Sequence, residues 1–172
     1  NANIAKIPSL RPAFAKDGTI TAANSSSISD GASALILASH EAAQRHGVKP
    51  LAKMLGHATH SRHPSEFTIA PVGAIEKLMK KLGWGVNDVD LFEINEAFAV
   101  VTLMAMDDLG LPHEKVNVFG GACAQGHPIG STGSRIIATL IHALRTKGGK
   151  RGIASLCIGG GEATAVAVEL MD

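Results

Sequence analysis

Aromatic residues are scarce in this chain of 172 residues: tyrosine is absent, tryptophan occurs once and phenylalanine five times. A folded core must therefore be assembled from aliphatic side chains and alanine. Cysteine is nearly absent too. Cys123 and Cys157 are the only two, which is too few for a disulfide framework and points to a reduced compartment, taken as the cytoplasm. Neither sign of charge prevails: 16 Lys and Arg face 15 Asp and Glu, scattered along the chain. That balance carries no electrostatic footprint for nucleic acid, so no nucleic-acid partner is expected. Long apolar runs are also missing. The longest, such as Ile136–Ala143, contain or adjoin polar residues and fall short of a membrane span, so no membrane partner is expected either. Finally, the sequence opens on Asn1 with no Met, no basic stretch and no apolar stretch behind it. No signal peptide is visible, and a piece of a longer chain is the expectation.

What is present is ordinary in bulk: 45% hydrophobic and 18% charged, at a length that suits one domain with a sizeable core. The 19 glycines are many, and they cluster late in the chain, where backbone is expected to approach something closely.

Pro8, Pro12 and the turn pair Asp17-Gly18 mark an extended lead-in. Ser27 and Asp30 are spaced as a capping box, which predicts a short helix start within Asn24–Asp30. Ala34–Ala38 reads as a buried strand, Ser39–His46 as a helix stopped by Gly47, and Leu51–Ala58 as a second strand. Pro71 at a first-turn position, with Val72, Ile75, Leu78, Met79 and Leu82 on one face, predicts a helix ended by Gly83. Val89–Ile94 follows as a strand. Phe98, Val101, Ala105 and Leu109 repeat at helical spacing up to Gly110, and Val116–Phe119 reads as a strand. Ile136, Ile137, Leu140, Ile141 and Leu144 mark a helix ending at Gly148, before closing strands over Gly152–Ile158 and Thr164–Leu170. The alternation predicts an α/β fold with a mixed sheet and helices on both faces. Loops beyond the carboxyl ends of such strands are where ligands gather.

Three segments carry chemistry. Gly120–Gly133 sets His127 between glycines at a strand-to-helix turn and matches neither a Walker loop nor a dinucleotide fingerprint. An incidental histidine in a structural glycine turn is the plain alternative. Cys157-Ile158-Gly159-Gly160-Gly161 places a thiol at a strand end, ahead of backbone N–H groups able to face an oxyanion. A buried apolar cysteine before a flexible turn would look the same. Cys123, among small residues in its loop, is assigned to packing. Asn95-Glu96-Ala97-Phe98-Ala99 stands at a strand-to-helix junction, where Asn95 either caps the helix or holds a water or polar substrate group. His57, His60 and His63 invite a metal reading. Strand geometry separates alternate members onto opposite faces, no Cys or carboxylate lies in the run, and no metal site is expected.

Together, Asn95–Ala99, Gly126-His127-Pro128-Ile129-Gly130 and Cys157–Gly161 resemble the signature segments of the C-terminal domain of thiolases, in matching order and spacing. Arg11–Phe14 and Asp17–Ser26 are similar to the family's segment lining the coenzyme A channel. The resemblance implies that residues 1–22 are a lead-in from the end of the thiolase loop region. Residues 23–172 would then be the C-terminal domain, one half of an αβαβα sandwich. It further implies an acyl-CoA C-acyltransferase that forms or cleaves acetoacetyl-CoA by thioester Claisen chemistry. A longer-chain 3-ketoacyl-CoA thiolase and a non-catalytic acyl-CoA-binding relative are the alternatives.

On the same resemblance, His127 activates a nucleophilic cysteine and contributes to an oxyanion hole. Asn95 holds the water that completes that hole, Cys157 is the general acid/base, and the Gly159 N–H serves a second hole. Ser26 touches the pantetheine arm, with Ala22, Phe14, Ala97 and Phe98 beside it. Coenzyme A thioesters are substrates and no cofactor is implied. Partners implied are the missing N-terminal half, with the covalent nucleophile, and further copies in a homodimer or homotetramer. The chain departs from the family pattern at Ala23, where Gly is commoner, and at Cys123 and Gln125, where aliphatic residues are commoner. Nothing in it resembles the nucleophile segment or the substrate-covering loop, so the segment alone is expected to be inactive.

Overall fold

The computed structural model describes residues 3–171. Four strands form one sheet in the order β1-β4-β3-β2: β1 is Ala52–Ser61, β2 Leu91–Ile94, β3 Arg151–Ile158 and β4 Glu162–Leu170. β2 runs parallel to β3, while β4 lies antiparallel to both β3 and β1, so the sheet is mixed as predicted. Five α-helices are described: α1 (His40–Arg45), α2 (Ala70–Leu82), α3 (Ala99–Leu109), α4 (Ala122–Gln125) and α5 (Thr132–Lys147).

Period-two alternation divides the strand side chains between two faces. Phe92, Ile94, Ile153, Ala163, Ala165 and Ala167 pack with Ala74, Ile75 and Leu78 of α2 and Val101 and Ala105 of α3. Leu91, Ala154 and Val168 turn the other way, against Ile136, Leu140, Ala143 and Leu144 of α5. With few aromatics available, alanine lets the helices sit close. One such approach is at Gly152, where an added Cβ would lie 2.7 Å from Leu140 Cδ1. Each fully buried Leu or Ile stabilises this sandwich by about 1.5–3 kcal/mol.

The helix stops follow the sequence signals: Gly83, Gly110 and Gly148 all adopt left-handed backbone after α2, α3 and α5. Ser39 caps α1 by accepting from the Ala42 N–H at 3.2 Å. Other expectations fail. Ile4–Ser9 is a 3-10 helix, with Pro8 inside it, where an extended lead-in was expected. Asn24–Asp30 forms no helix, because its backbone pairs with distant residues instead: Ser26 N–H with Ala97 O, Ala99 N–H with Asn24 O, and His127 N–H with Ser27 O. Val116–Phe119 yields a single bridge, Val116 to Phe92, since Asn117 at φ 47° breaks the extended run. Ala34–Ala38 is neither strand nor buried, and Ile36 is 98% exposed. Among the described residues, no strand pairs with it.

Candidate active site

The parallel register sets Ile94 opposite Ser155, and the chain leaves β2 with the Asn95 N–H donating to Ser155 O at 2.9 Å. Asn95 is 2% exposed and does not cap α3, whose N-terminal cap is Phe98. Its Nδ2 donates to His127 Nε2 at 3.4 Å, and its buried Oδ1 has no partner among the described residues. A buried carbonyl oxygen without a partner is costly, so this atom marks where a polar ligand group or water would be satisfied. Asn95 and His127, 32 residues apart, thus meet at the sheet edge.

The state of His127 follows from its neighbours. Thr132 Oγ1 donates to Pro128 O at 2.9 Å and so presents only lone pairs to His127 Nδ1, 2.7 Å away. Nδ1 therefore carries the proton in the neutral ring, leaving the Nε2 lone pair to accept from Asn95. Burial, and then the Arg135 guanidinium, hold the His127 pKa below the usual histidine range. The ring is thus a neutral base near pH 7 that becomes a two-sided donor once protonated. The segment 24–28 packs between the Asn95–Phe98 turn and this loop, with Ile28 bridged to His127 and Ser25 to Phe98.

Cys157 stands two residues beyond Ser155 on β3, facing the α2–α3 side of the core. Among the described residues, no hydrogen bond joins its thiol to His127 or Asn95. The register sets Cys157 beyond Ser155, at the end of the sheet where the chain leaves β2 toward Asn95. Burial pushes the Cys157 thiol up, so it rests protonated at neutral pH. Gly159 opens the β3–β4 turn with no atom within 4 Å of where its Cβ would stand, while the Gly161 N–H is spent on Ile158 O at 3.1 Å.

Of the residues expected along the acyl carrier's path, Phe14 meets Phe98 and Ser26 meets Ala97. Phe14, 77% exposed, meets Phe98 edge-on with ring centroids 5.7 Å apart. Ser26 donates both its N–H and, at 2.9 Å, its hydroxyl to Ala97 O. Ala22 lies exposed on the preceding turn. Arg11, Pro12, Ala13 and Lys16 line an open groove with Phe14.

The histidine run disperses. His57 is exposed, His63 binds Ser65 through Nδ1, and His60 packs against Gly73. No cluster of three or more potential metal ligands occurs among the described residues. Cys123 is half-buried and joins neither hydrophobic cluster; its thiol donates to Glu96 O at 3.8 Å, and burial followed by the Glu96 charge pushes its pKa up to about 11. Gln125 is tied to Phe119 O at 2.9 Å. Thr132 and Glu96 had no assigned role in the sequence reading. A hydroxyl in the first turn after the histidine loop was the available signal for Thr132; the partners of Glu96 are too remote in sequence to have given one.

Sequence and fold both have known relatives. Residues 48–170 match the family model described as thiolase, C-terminal domain, and residues 1–41 that of the thiolase N-terminal domain. A probable acetyl-CoA acetyltransferase of Dictyostelium discoideum is 52% identical over 95% of this chain and 40% of its own. An acetyl-CoA acetyltransferase of Chromobacterium violaceum is 51% identical over 93% of this chain and 41% of its own. Among solved structures, human mitochondrial 3-ketoacyl-CoA thiolase in complex with CoA superposes with a TM-score of 0.95 at 45% identity, over 99% of this chain and 43% of that one. The acetyl-CoA acetyltransferase of Bacillus anthracis gives 0.93 at 46% identity, over 97% and 42%. The chain therefore spans about two fifths of the length of the relatives it matches. On the strength of both family models and relatives near half identity, this chain belongs to the thiolase family.

Proposed function

We propose that these residues are the acid/base portion of an acyl-CoA C-acyltransferase that forms or cleaves acetoacetyl-CoA. The observation that carries the reading is the Thr132–His127–Asn95 arrangement, in which a half-buried His127 lies between two buried partners and Nε2 is the basic nitrogen. In the whole protein a cysteine from outside this chain gives its proton to His127 Nε2, and its thiolate attacks the ketone carbonyl of acetoacetyl-CoA. The developing oxyanion is stabilised by protonated His127 and by a water held at Asn95. Carbon–carbon cleavage leaves an acetyl thioester on the nucleophile and the enolate of acetyl-CoA. The Cys157 thiol protonates that enolate, with the Gly159 N–H facing its oxygen. The coenzyme A thiol then gives its proton to the Cys157 thiolate and takes the acetyl group, and the departing nucleophile recovers its proton from His127. A resting thiol is the acid this direction needs; in condensation, the Cys157 thiolate removes the α-proton instead.

Ser26, Ala22, Phe14, Ala97 and Phe98 would flank the pantetheine arm, with Arg11 and Lys16 supplying positive charge at the groove. Homodimeric or homotetrameric assembly and a reduced, cytoplasmic setting belong to the same reading, supported by exposed Ile28 and by two free thiols. Residues 1–22 would line the entrance and 23–172 form the catalytic half. No helix of the described residues is long and apolar enough to cross a membrane. The test is coenzyme A-dependent cleavage of acetoacetyl-CoA by the whole protein, with α-proton exchange on acetyl-CoA as a second readout. Acyl-CoA binding without either reaction would contradict the proposal.

A further inference from the structure

Glu96 contacts none of the atoms assigned a chemical role above, yet it sits next to Asn95 and reaches into the loop that carries His127. Its Oε1 accepts from Asn117 Nδ2 at 3.0 Å and its Oε2 from the Cys123 N–H at 3.1 Å. Asn117 in turn grips the end of β2. Its N–H donates to Phe92 O at 2.9 Å, its Oδ1 accepts from Ile94 N–H at 2.8 Å, and its Nδ2 donates to Ile94 O at 2.8 Å. To make these bonds Asn117 holds φ 47°, a left-handed conformation that Asn tolerates better than most residues and that it alone of the described non-glycine residues adopts. Gly121 completes the arrangement, since an added Cβ there would collide with the Glu96 carboxylate. Its φ of −129° is open to any residue, so close approach alone calls for glycine.

We propose that Glu96 is a positioning residue, whose carboxylate, bridging Asn117 and the Cys123 N–H, fixes the separation between Asn95 and His127. Nothing else within the segment from Asn117 to His127 ties the middle of the loop to the turn that bears Asn95 through a charged acceptor. The bond it protects is long: Asn95 Nδ2 and His127 Nε2 are 3.4 Å apart, near the limit of hydrogen bonding, so a small slip of the loop separates them. This inference rests on the function proposed above for its kinetic consequence, though not for its geometry.

Both partners of the carboxylate are donors, so Glu96→Gln can satisfy only one and sets its own NH2 against the other. In the whole protein, Glu96→Gln is expected to lower kcat for acetoacetyl-CoA cleavage on the order of 100-fold, the cost of misplacing a catalytic group by about 1 Å, with KM unchanged. Gly121→Ala, which displaces the same carboxylate, is expected to match that loss, and to add nothing in a Glu96→Ala background. Unaltered kcat per folded molecule in Glu96→Gln, or additive losses in the Gly121→Ala and Glu96→Ala pair, would overturn the inference. A crystal structure of the Glu96→Gln whole protein gives a readout independent of activity. A widened Asn95–His127 separation supports positioning, and an unchanged one refutes it. Wild-type protein without cleavage activity would instead count against the proposed function, while the crystallographic comparison still decides the role of Glu96.

Discussion

Ala34–Ala38 and the strand β4 are both rich in alanine and aliphatic residues, and the structure treats them oppositely. Ala34–Ala38 lies open to solvent, with Leu37 80% exposed, whereas Ala163, Ala165 and Ala167 of β4 are fully buried. Intrinsic preference does not separate them. β4 has neighbours on both edges and helices over both faces, and the other run has no strand beside it among the described residues. The N-terminal family model ends at residue 41, just past the exposed run, and the C-terminal one begins at residue 48.

The largest effect expected concerns the chemistry of the buried region. Cys157→Ala in the whole protein should reduce α-proton exchange on acetyl-CoA by about 10²–10⁴-fold, the usual contribution of a positioned acid/base group. Exchange at the wild-type rate would remove Cys157 from the mechanism. Next comes the core itself. Phe92→Ala should destabilise by about 3–5 kcal/mol in denaturant titrations, because a fully buried ring leaves a cavity between the sheet and α2. Ile36→Ala sharpens the contrast. It should shift the stability of the 172-residue chain by no more than about 0.5 kcal/mol, but cost about 2 kcal/mol or more in the whole protein if that run is buried there. Equal small effects in both would mean the run is exposed in either setting.

The smallest effect is a pH dependence from Glu93, 3% exposed beneath α5. Burial pushes its pKa up to about 7, against the opposing pull of Arg135 and with a lesser push from Glu96. A raised carboxyl pKa means the folded state holds its proton longer than the unfolded one. The stability this gives is present below the unfolded value of 4.5 and lost as pH rises through about 7. Glu93→Gln should therefore become stabilising relative to wild type as pH rises from 5 to 8, measured as the difference in urea midpoints. A difference that stays constant over that range would show that Glu93 does not titrate there. The His127 contribution has the opposite sign, since its lowered pKa makes stability fall as pH drops below the usual histidine range, and it cancels in this comparison.

How much of this was legible in the sequence depended on range. α2, α3 and α5 could be read because their apolar period and their terminal glycines are local signals. The short helix over Asn24–Asp30 was misread because its backbone pairs with Ala97 and His127, and no local pattern announces a partner so far along the chain. The same limit governs the site. The candidates Asn95, His127 and Cys157 stand in glycine-rich and motif settings that the sequence displays. Thr132, which sets the tautomer, and Glu96, which latches the loop, act through contacts that only the fold creates. The strand expected at Val116–Phe119 failed for a related reason: Asn117 gives up extended backbone to bond Ile94 and Glu96.

We propose that this chain supplies acid/base groups to a cysteine nucleophile from outside it. This proposal is tested most directly by following acetoacetyl-CoA cleavage with coenzyme A in three samples: the whole protein, its Cys157→Ala variant and the 172-residue chain alone. The account predicts turnover in the first, a loss of about 10²–10⁴-fold in the second and none in the third. Turnover by the isolated chain at the rate of the whole protein would contradict it.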